Sequence, residues 1–321
     1  MLSRLTVALC ISVCSLLASP VARADTYPSR ALRLVVPYAP GGAVDLVGRT
    51  LAQRLGKGLG QTVYVDNRPG AGGMIGVQAV TSSPADGYTL LVVDPAVVIN
   101  PSLQAHAGFT LRNLETISTL TASPLVLSTN VALPVTNFPS FVQYAKANPG
   151  RVTYASAGVG TTPHMAGELL ALRIGQPLVH VPYKGSGPAM ADLMAGHVEM
   201  AFTTIAAAQS AARDGKIHPL ATSGTTPPPS FAQLPTVAQG GIKDFDVLFW
   251  TGLFVPAGTP PDIEKRLSDE VKAALADPEV VQALERSGEV PSWATQEASN
   301  AFVQSEYDKW AQVIKTAKLA P

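Results

Sequence analysis

Val35-Val36-Pro37-Tyr38-Ala39-Pro40-Gly41-Gly42-Ala43-Val44-Asp45 is the stretch that decides the fold. A short β-branched run ends in a proline-stiffened glycine turn, and a helix-like stretch follows. The pattern returns at once: Val63-Tyr64-Val65 leads through Asp66-Asn67-Arg68-Pro69-Gly70-Ala71-Gly72-Gly73 into Met74-Ile75-Gly76. A strand that turns through glycine into a helix presents free backbone N–H groups at the positive end of that helix. Glycine lets a ligand approach the backbone, so each turn is a ready anion site. Two such turns, with no catalytic motif beside them, point to a chain that grips an acid rather than transforms it.

Outward from these turns, strands and helices alternate. Leu32 to Val36 reads as a strand. Val44 to Leu55 reads as a helix closed by Gly56, Gly58 and Gly60, and Gly73 to Val80 as a second helix. Tyr88 to Val93 is a third strand after the turn Pro84-Ala85-Asp86-Gly87. This order implies a parallel sheet covered on both faces, with ligands at the carboxyl ends of its strands. Pro124 to Thr129 reads as another strand, and Phe138 to Ala147 as a helix. A second alternation runs from Val152 to Thr222 and has its own glycine-rich turn, Ser156 to His164. Phe249 to Val255 returns as a strand. Helices over Pro260–Ala276, Pro278–Ser287 and Ala298–Thr316 close the chain.

The ends and the composition set limits. Residues 1–24 read as an export signal: Arg4, an apolar run from Leu5 to Ala18, and the small-x-small site Ala22-Arg23-Ala24. The run is short for a bilayer span, and no later stretch is long and apolar enough for one. Both cysteines, Cys10 and Cys14, fall inside the signal, so the mature chain has no disulfide and no thiolate metal site. Its 297 residues (Asp25 onward) favour two domains over one. Without Arg4 and Arg23 the mature chain carries two net negative charges, which excludes the basic surplus of a nucleic-acid binder.

The candidate site residues follow from the turns. Tyr38, Pro40, Gly41 and Gly42 form the first, with Asp45 either fixing the loop or touching the ligand. Gly72 and Gly73 carry the second. A dinucleotide reading of that turn fails on spacing, because Ile75 stands where the third glycine is required. Ser156, Gly160, Thr161, Thr162 and His164 form the third, where helix capping and ligand binding use the same groups. His164 and Glu168 alone make no metal site. Lys184, between a strand and Gly185, is either a charge for an anion or a solvated lysine. No G-x-S-x-G, H-E-x-x-H or phosphate-loop pattern occurs.

The chain resembles the Bug (Bordetella uptake gene) family, the periplasmic receptors of tripartite tricarboxylate transporters. The carriers are the two glycine turns, Asp86-Gly87-Tyr88-Thr89-Leu90-Leu91, Asn100-Pro101-Ser102-Leu103, Tyr154 to His164, His180-Val181-Pro182-Tyr183-Lys184-Gly185, Leu234-Pro235-Thr236-Val237 and Val255 to Pro260. The resemblance covers essentially the whole mature chain. It implies an α/β type II periplasmic-binding-protein (Venus flytrap) fold: two α/β lobes with parallel-rich sheets, joined by two crossover segments. One lobe is expected over 25–125 and 248–321, the other over 126–247. It further implies a small carboxylate ligand, membrane transporter subunits as partners, no cofactor, no metal and a monomer. After Met200-Ala201-Phe202 the family usually has an aspartate, whereas Thr203 and Thr204 stand here. An ammonium group thereby loses a partner, which favours a plain organic acid. Asp94 occupies a variable pocket-facing turn, so ligand identity does not carry over. An exported enzyme acting on a carboxylate is the alternative, and it would need a nucleophile–base pair that the sequence does not reveal.

Overall fold

β1 (Leu32–Val36) and β3 (Thr89–Val93) are buried along almost their whole length, as strands sandwiched between helices must be. With β2 (Val63–Asn67) they run parallel, in the order β2-β1-β3. Helices α1 (Ala43–Leu59) and α2 (Met74–Thr81) connect them, and α3 (Ala96–Leu103) follows β3. β4 (Leu114–Pro124) and β10 (Leu248–Pro256) complete the sheet as β2-β1-β3-β10-β4, with β10 antiparallel to both neighbours. The computed structural model describes residues 27–319. The export signal and its cleavage point lie outside them.

The second sheet repeats the plan. Its order is β7 (Val179–Pro182), β6 (Thr153–Ser156), β8 (Met200–Thr203), β5 (Val126–Asn130), β9 (Ile217–Thr222). Again the first three strands are parallel and the fourth is antiparallel to its neighbours. α4 (Phe138–Ala147), α5 (Thr162–Ile174), α6 (Ser186–Ala195) and α7 (Ile205–Arg213) connect these strands. In each sheet the antiparallel fourth strand is the one that arrives from the other lobe. A single residue, Leu125, separates the end of β4 from the start of β5, and β10 brings the chain back after β9. Two α/β lobes with mixed, parallel-rich sheets result.

The crossings are tied together by one side chain. Ser223 is fully buried. Its hydroxyl accepts from the Leu125 N–H at 2.8 Å and donates to the Val247 carbonyl at 2.5 Å. Its backbone N–H and C=O bond the same two residues, at 2.9 Å each.

α8 (Pro261–Leu275), α9 (Pro278–Arg286) and α10 (Gln296–Ala317) close the chain. α10 packs on α3 and β4 of the first lobe and on α5 of the second. One apolar cluster therefore runs through both lobes, from Val93 and Val98 through Leu125 and Trp250 to Leu170 and Trp310.

Several local readings need correction. Pro124 ends β4 rather than opening a strand. β4 itself escapes an apolar-run reading because its buried positions include Thr116, Ser118, Thr119, Thr121 and Ser123. α3 contains Pro101 in its interior and has no clear amphipathic stripe, and the buried face of α7, Ile205, Ala208 and Ala211, is mostly alanine and so reads weakly in the sequence. α1 does not stop at Gly56. It runs through Gly56 and Gly58 to Gly60, the one of the three in the left-handed region, at φ 67°. The Glu270 carboxylate of α8 lies over Gly58, 1.7 Å from where a Cβ would be.

Glu306 anchors α10 to the crossing strand. Its carboxylate, 5% exposed, accepts from the Trp250 indole N–H at 3.1 Å and the Trp310 indole N–H at 3.2 Å. Removing it leaves two buried donors without a partner. Glu306→Ala should lower the unfolding free energy by about 2–6 kcal/mol, at roughly 1–3 kcal/mol for each of the two orphaned groups. Urea denaturation checks this, and an unchanged midpoint would show that water replaces the carboxylate at no cost.

Candidate functional site

α3 and α8, which open at Pro95 and Pro260, have no side-chain cap from those prolines, though Asp94 accepts from the first N–H of α3. Five more helices begin without a side-chain cap: α1 at Gly42, α2 at Gly73, α5 at Thr161, α6 at Gly185 and α7 at Thr204. Each follows the carboxyl end of a parallel strand. α4, α9 and α10 instead carry caps from Asn137, Asp277 and Thr295. α8, which follows the antiparallel β10 at the far edge, starts on prolines with Asp262 and Glu264 in its first turn. The uncapped N–H groups thus gather where the two sheets present their strand ends.

In the first lobe the glycine loop is held from behind. Asp45 is 1% exposed. It accepts from the Gly41 N–H at 2.8 Å, the Arg49 Nε at 2.9 Å and the Asn67 amide at 2.9 Å. Asn67 also donates to the Tyr38 carbonyl at 2.9 Å. Burial would raise the Asp45 pKa, but these donors outweigh it and hold the carboxyl below its ordinary value. Its oxygens are committed to the loop. Gly41 needs its glycine, at φ 92°, whereas Gly42 is extended at φ −79° with nothing within 4 Å of an added Cβ. Pro40, Gly41, Gly42 and Gly72 are exposed on this wall.

Tyr38, Gly73 and Asp94 meet beside it. The Tyr38 hydroxyl donates to Asp94 Oδ1 at 2.5 Å and lies 3.1 Å from where a Gly73 Cβ would be. Asn100 on α3 was quoted in the sequence without a role. It is 3% exposed and donates to the Gly72 carbonyl at 3.0 Å. A Cβ on Gly160, from the other lobe, would fall 2.9 Å from Asn100 Oδ1. The lobes touch there.

The wall of the second lobe stands on stacked rings. His164 and His180 stack at 4.1 Å between centroids, and Tyr154 stacks on His180 at 4.9 Å. The Gly160 N–H donates to His164 Nδ1 at 3.2 Å. The Tyr154 hydroxyl donates to Glu168 at 2.6 Å. Ser156 Oγ and His180 Nε2 are hydrogen-bonded at 2.6 Å. This is a serine–histidine pair that the sequence reading missed, because its members lie 24 positions apart, on two adjacent strands with helix α5 between them in the chain. Ser156 is 1% exposed, and Gly158 bonds the same hydroxyl through both its N–H and its carbonyl. His164 is turned inward beneath the loop, 4% exposed. Thr161 Oγ1 donates to the Gly158 carbonyl at 2.7 Å. Thr162 Oγ1 is buried and has no partner among the described residues.

Thr203 and Thr204 line a recess of about 40 Å³ with Ser156, Pro163, Ser186 and Ala207. Here the starts of α5, α6 and α7 converge, with room for a water or a carboxylate group rather than a whole ligand. Thr203 Oγ1 reaches the Val126 carbonyl only at 3.5 Å. Lys184 is exposed and forms no ion pair among the described residues. Among the described residues no three side chains group to hold a metal ion, and no helix is long and apolar enough to cross a membrane.

Two lobes with opposed, uncapped helix starts define a solute-binding receptor of the periplasmic type. Comparison with known proteins makes this specific. The model of the tripartite tricarboxylate transporter family receptor (TctC) matches residues 47–319, and the chain belongs to that family. It is 36% identical to the protein BugT of Bordetella pertussis over 302 residues, 93% of this chain and 92% of BugT. The solved periplasmic binding protein BugD superposes with TM-score 0.79 at 32% identity, covering 92% of this chain and 99% of BugD. The R. palustris protein Rpa4515, solved with adipate, superposes with TM-score 0.82 at 31% identity, covering 92% of this chain and 99% of that one.

The stacked rings make the second lobe sensitive to acid. Burial, with the neighbouring His180, pushes His164 down to about 3, and burial pushes His180 down to about 4. In the unfolded chain both return to about 6.5. Between about 6.5 and about 4 the unfolded chain therefore takes up protons that the fold refuses, and stability falls as pH drops through this window. Above pH 6.5 neither ring contributes a slope. Denaturant unfolding from pH 7.5 to 4.5 should show a shallower pH dependence for His164→Asn/His180→Gln than for the natural chain. Equal slopes would mean the rings protonate within the fold.

Proposed function

We propose that this chain is a periplasmic receptor that captures a small organic acid and delivers it to the membrane subunits of a tripartite tricarboxylate transporter. The acid is a di- or tricarboxylate, or one derived from an aromatic compound. The observation that carries the reading is the gathering of five uncapped helix starts from two opposed lobes. Backbone donors and hydroxyls hold the acid; no metal is required. The adipate in Rpa4515 agrees with this chemistry. In this reading Gly42, Gly72 and Gly73 face one end of the ligand, and Thr161, Thr203 and Thr204 the other. Asp45, Ser156 and His164 keep the loops in shape from behind. The lobes are residues 25–125 with 248–321, and 126–247, and the receptor works as a monomer.

The enzyme alternative would use Ser156 as nucleophile and His180 as base. Ser156 is 1% exposed with its hydroxyl held by Gly158, and no carboxylate among the described residues hydrogen-bonds His180 to orient it. The pair serves the loop, and the receptor reading is preferred.

Calorimetry and thermal shift with mono-, di- and tricarboxylates and aromatic acids test the proposal. At 100 times its dissociation constant the cognate acid should stabilise the fold by about 2.7 kcal/mol. Chelators should leave binding intact. Gly42→Val should weaken binding at least tenfold while leaving the unliganded melting temperature unchanged, because nothing but a ligand needs the space above Gly42. Lys184→Ala should change little. A panel in which only neutral sugars bind would overturn the reading.

A further inference from the structure

Asp94 is hard to reconcile with a plain diacid. It sits at the carboxyl end of β3, in the middle of the first sheet, beside the glycine turn that opens α2. Oδ1 accepts from the Tyr38 hydroxyl at 2.5 Å and from the Ala96 N–H at 3.1 Å. Apart from its own backbone N–H, no further donor from a described residue reaches the carboxyl, and Oδ2 is not among the sealed, unpartnered atoms. No described lysine, arginine or histidine pairs with this carboxyl. Burial pushes its pKa above the ordinary aspartate value. The contrast with Asp45, whose oxygens are filled by Gly41, Arg49 and Asn67, is plain.

A half-buried carboxyl with one open oxygen repels a bare carboxylate nearby and needs a donor. Resting on the receptor reading above, we propose that Asp94 is a specificity residue: Oδ2 accepts from a hydroxyl or ammonium group that the ligand carries close to one of its carboxylates. The ligand is then a hydroxy or amino acid with at least two carboxylates, not an unsubstituted diacid. This revises the inference from Thr203. The second lobe lacks the carboxylate expected there, but the first lobe supplies one from the opposite wall. The Tyr38 hydroxyl, 3.1 Å from the Gly73 Cβ position, places Asp94 directly beside the second glycine turn, whose Gly72 is exposed on the same wall.

The test is a set of matched ligands: succinate, malate and aspartate, then glutarate, 2-hydroxyglutarate and glutamate, titrated by calorimetry. In the natural chain a donor-bearing acid should bind at least tenfold more tightly than the bare diacid of equal length. The hydroxy and amino members separate the two donors. In Asp94→Asn the amide oxygen stays with Tyr38 and Ala96, which puts an NH₂ where Oδ2 was. The preference should fall at least tenfold, and the bare diacid should bind more tightly than before. A merely structural role would weaken all ligands alike and leave the ratio unchanged, which overturns the proposal. So does a natural chain that binds bare and donor-bearing acids equally, a result that needs no variant to fold and leaves the receptor reading standing. Failure of every carboxylate to bind would remove both.

Discussion

A helix leaves its first N–H groups without partners, and in most proteins a side chain or solvent meets them. Here five helices start in that condition at the ends of two sheets, while α4, α9 and α10 have caps and α8 opens on two prolines, which carry no N–H. At α2 the Gly73 and Met74 N–H groups bond back to the Gly70 and Ala71 carbonyls, whereas the surroundings of the other four hold the loops without taking their first helical donors. Asp45, Asn67 and Asn100 hold the first-lobe loops by their carbonyls and flanking amides. Ser156, Thr161 and His164 do the same for the second-lobe loop. A loop ordered in advance does not charge its ordering entropy to ligand binding.

The two walls reach this state by different chemistry. The first uses charge: a buried carboxylate compensated by a guanidinium and two amide-type donors. The second uses neutral rings, with two imidazoles stacked under the loop and both kept unprotonated by burial. A net positive charge under the second loop would itself attract an anion. Its absence leaves recognition there to oriented dipoles and hydroxyls, which depend on geometry more than on charge.

Much of this was legible in the sequence, because strand–glycine–helix is a local signal. The turns at Gly41-Gly42 and Gly72-Gly73, and the run from Ser156 to His164, lie where the residues alone put them. What was not legible depends on contacts between distant segments. Asn100 reaches back 28 residues to Gly72, and Ser156 meets His180 across a strand pair. Nothing in the neighbourhood of Asp45 or His164 tells whether the side chain faces a ligand or its own loop; only the partners at 2.8–3.2 Å do. β4 was invisible for a different reason. Its buried hydroxyls satisfy one another and nearby polar groups, as Thr121 does with Thr251 and Glu289, so burial there does not require apolar residues.

The same contacts constrain how the lobes move. The crossings at Leu125 and Val247 are bonded to Ser223 by its hydroxyl and its backbone together, which fixes three chain segments at one point. At the other side of the molecule α10 leans on α5 across a groove of about 300 Å³ lined by Leu169, Leu172 and Val313. Directional hydrogen bonds resist shear, whereas apolar contacts across an incompletely filled groove tolerate small sliding. Any closing of one lobe on the other therefore pivots near Ser223 and takes up its displacement between α5 and α10. The advance of the second lobe is limited where Gly160 meets Asn100, since a Cβ there would already clash with the amide. The absence of a side chain at 160 is what lets this loop sit against Asn100 and, through it, against the Gly72 turn.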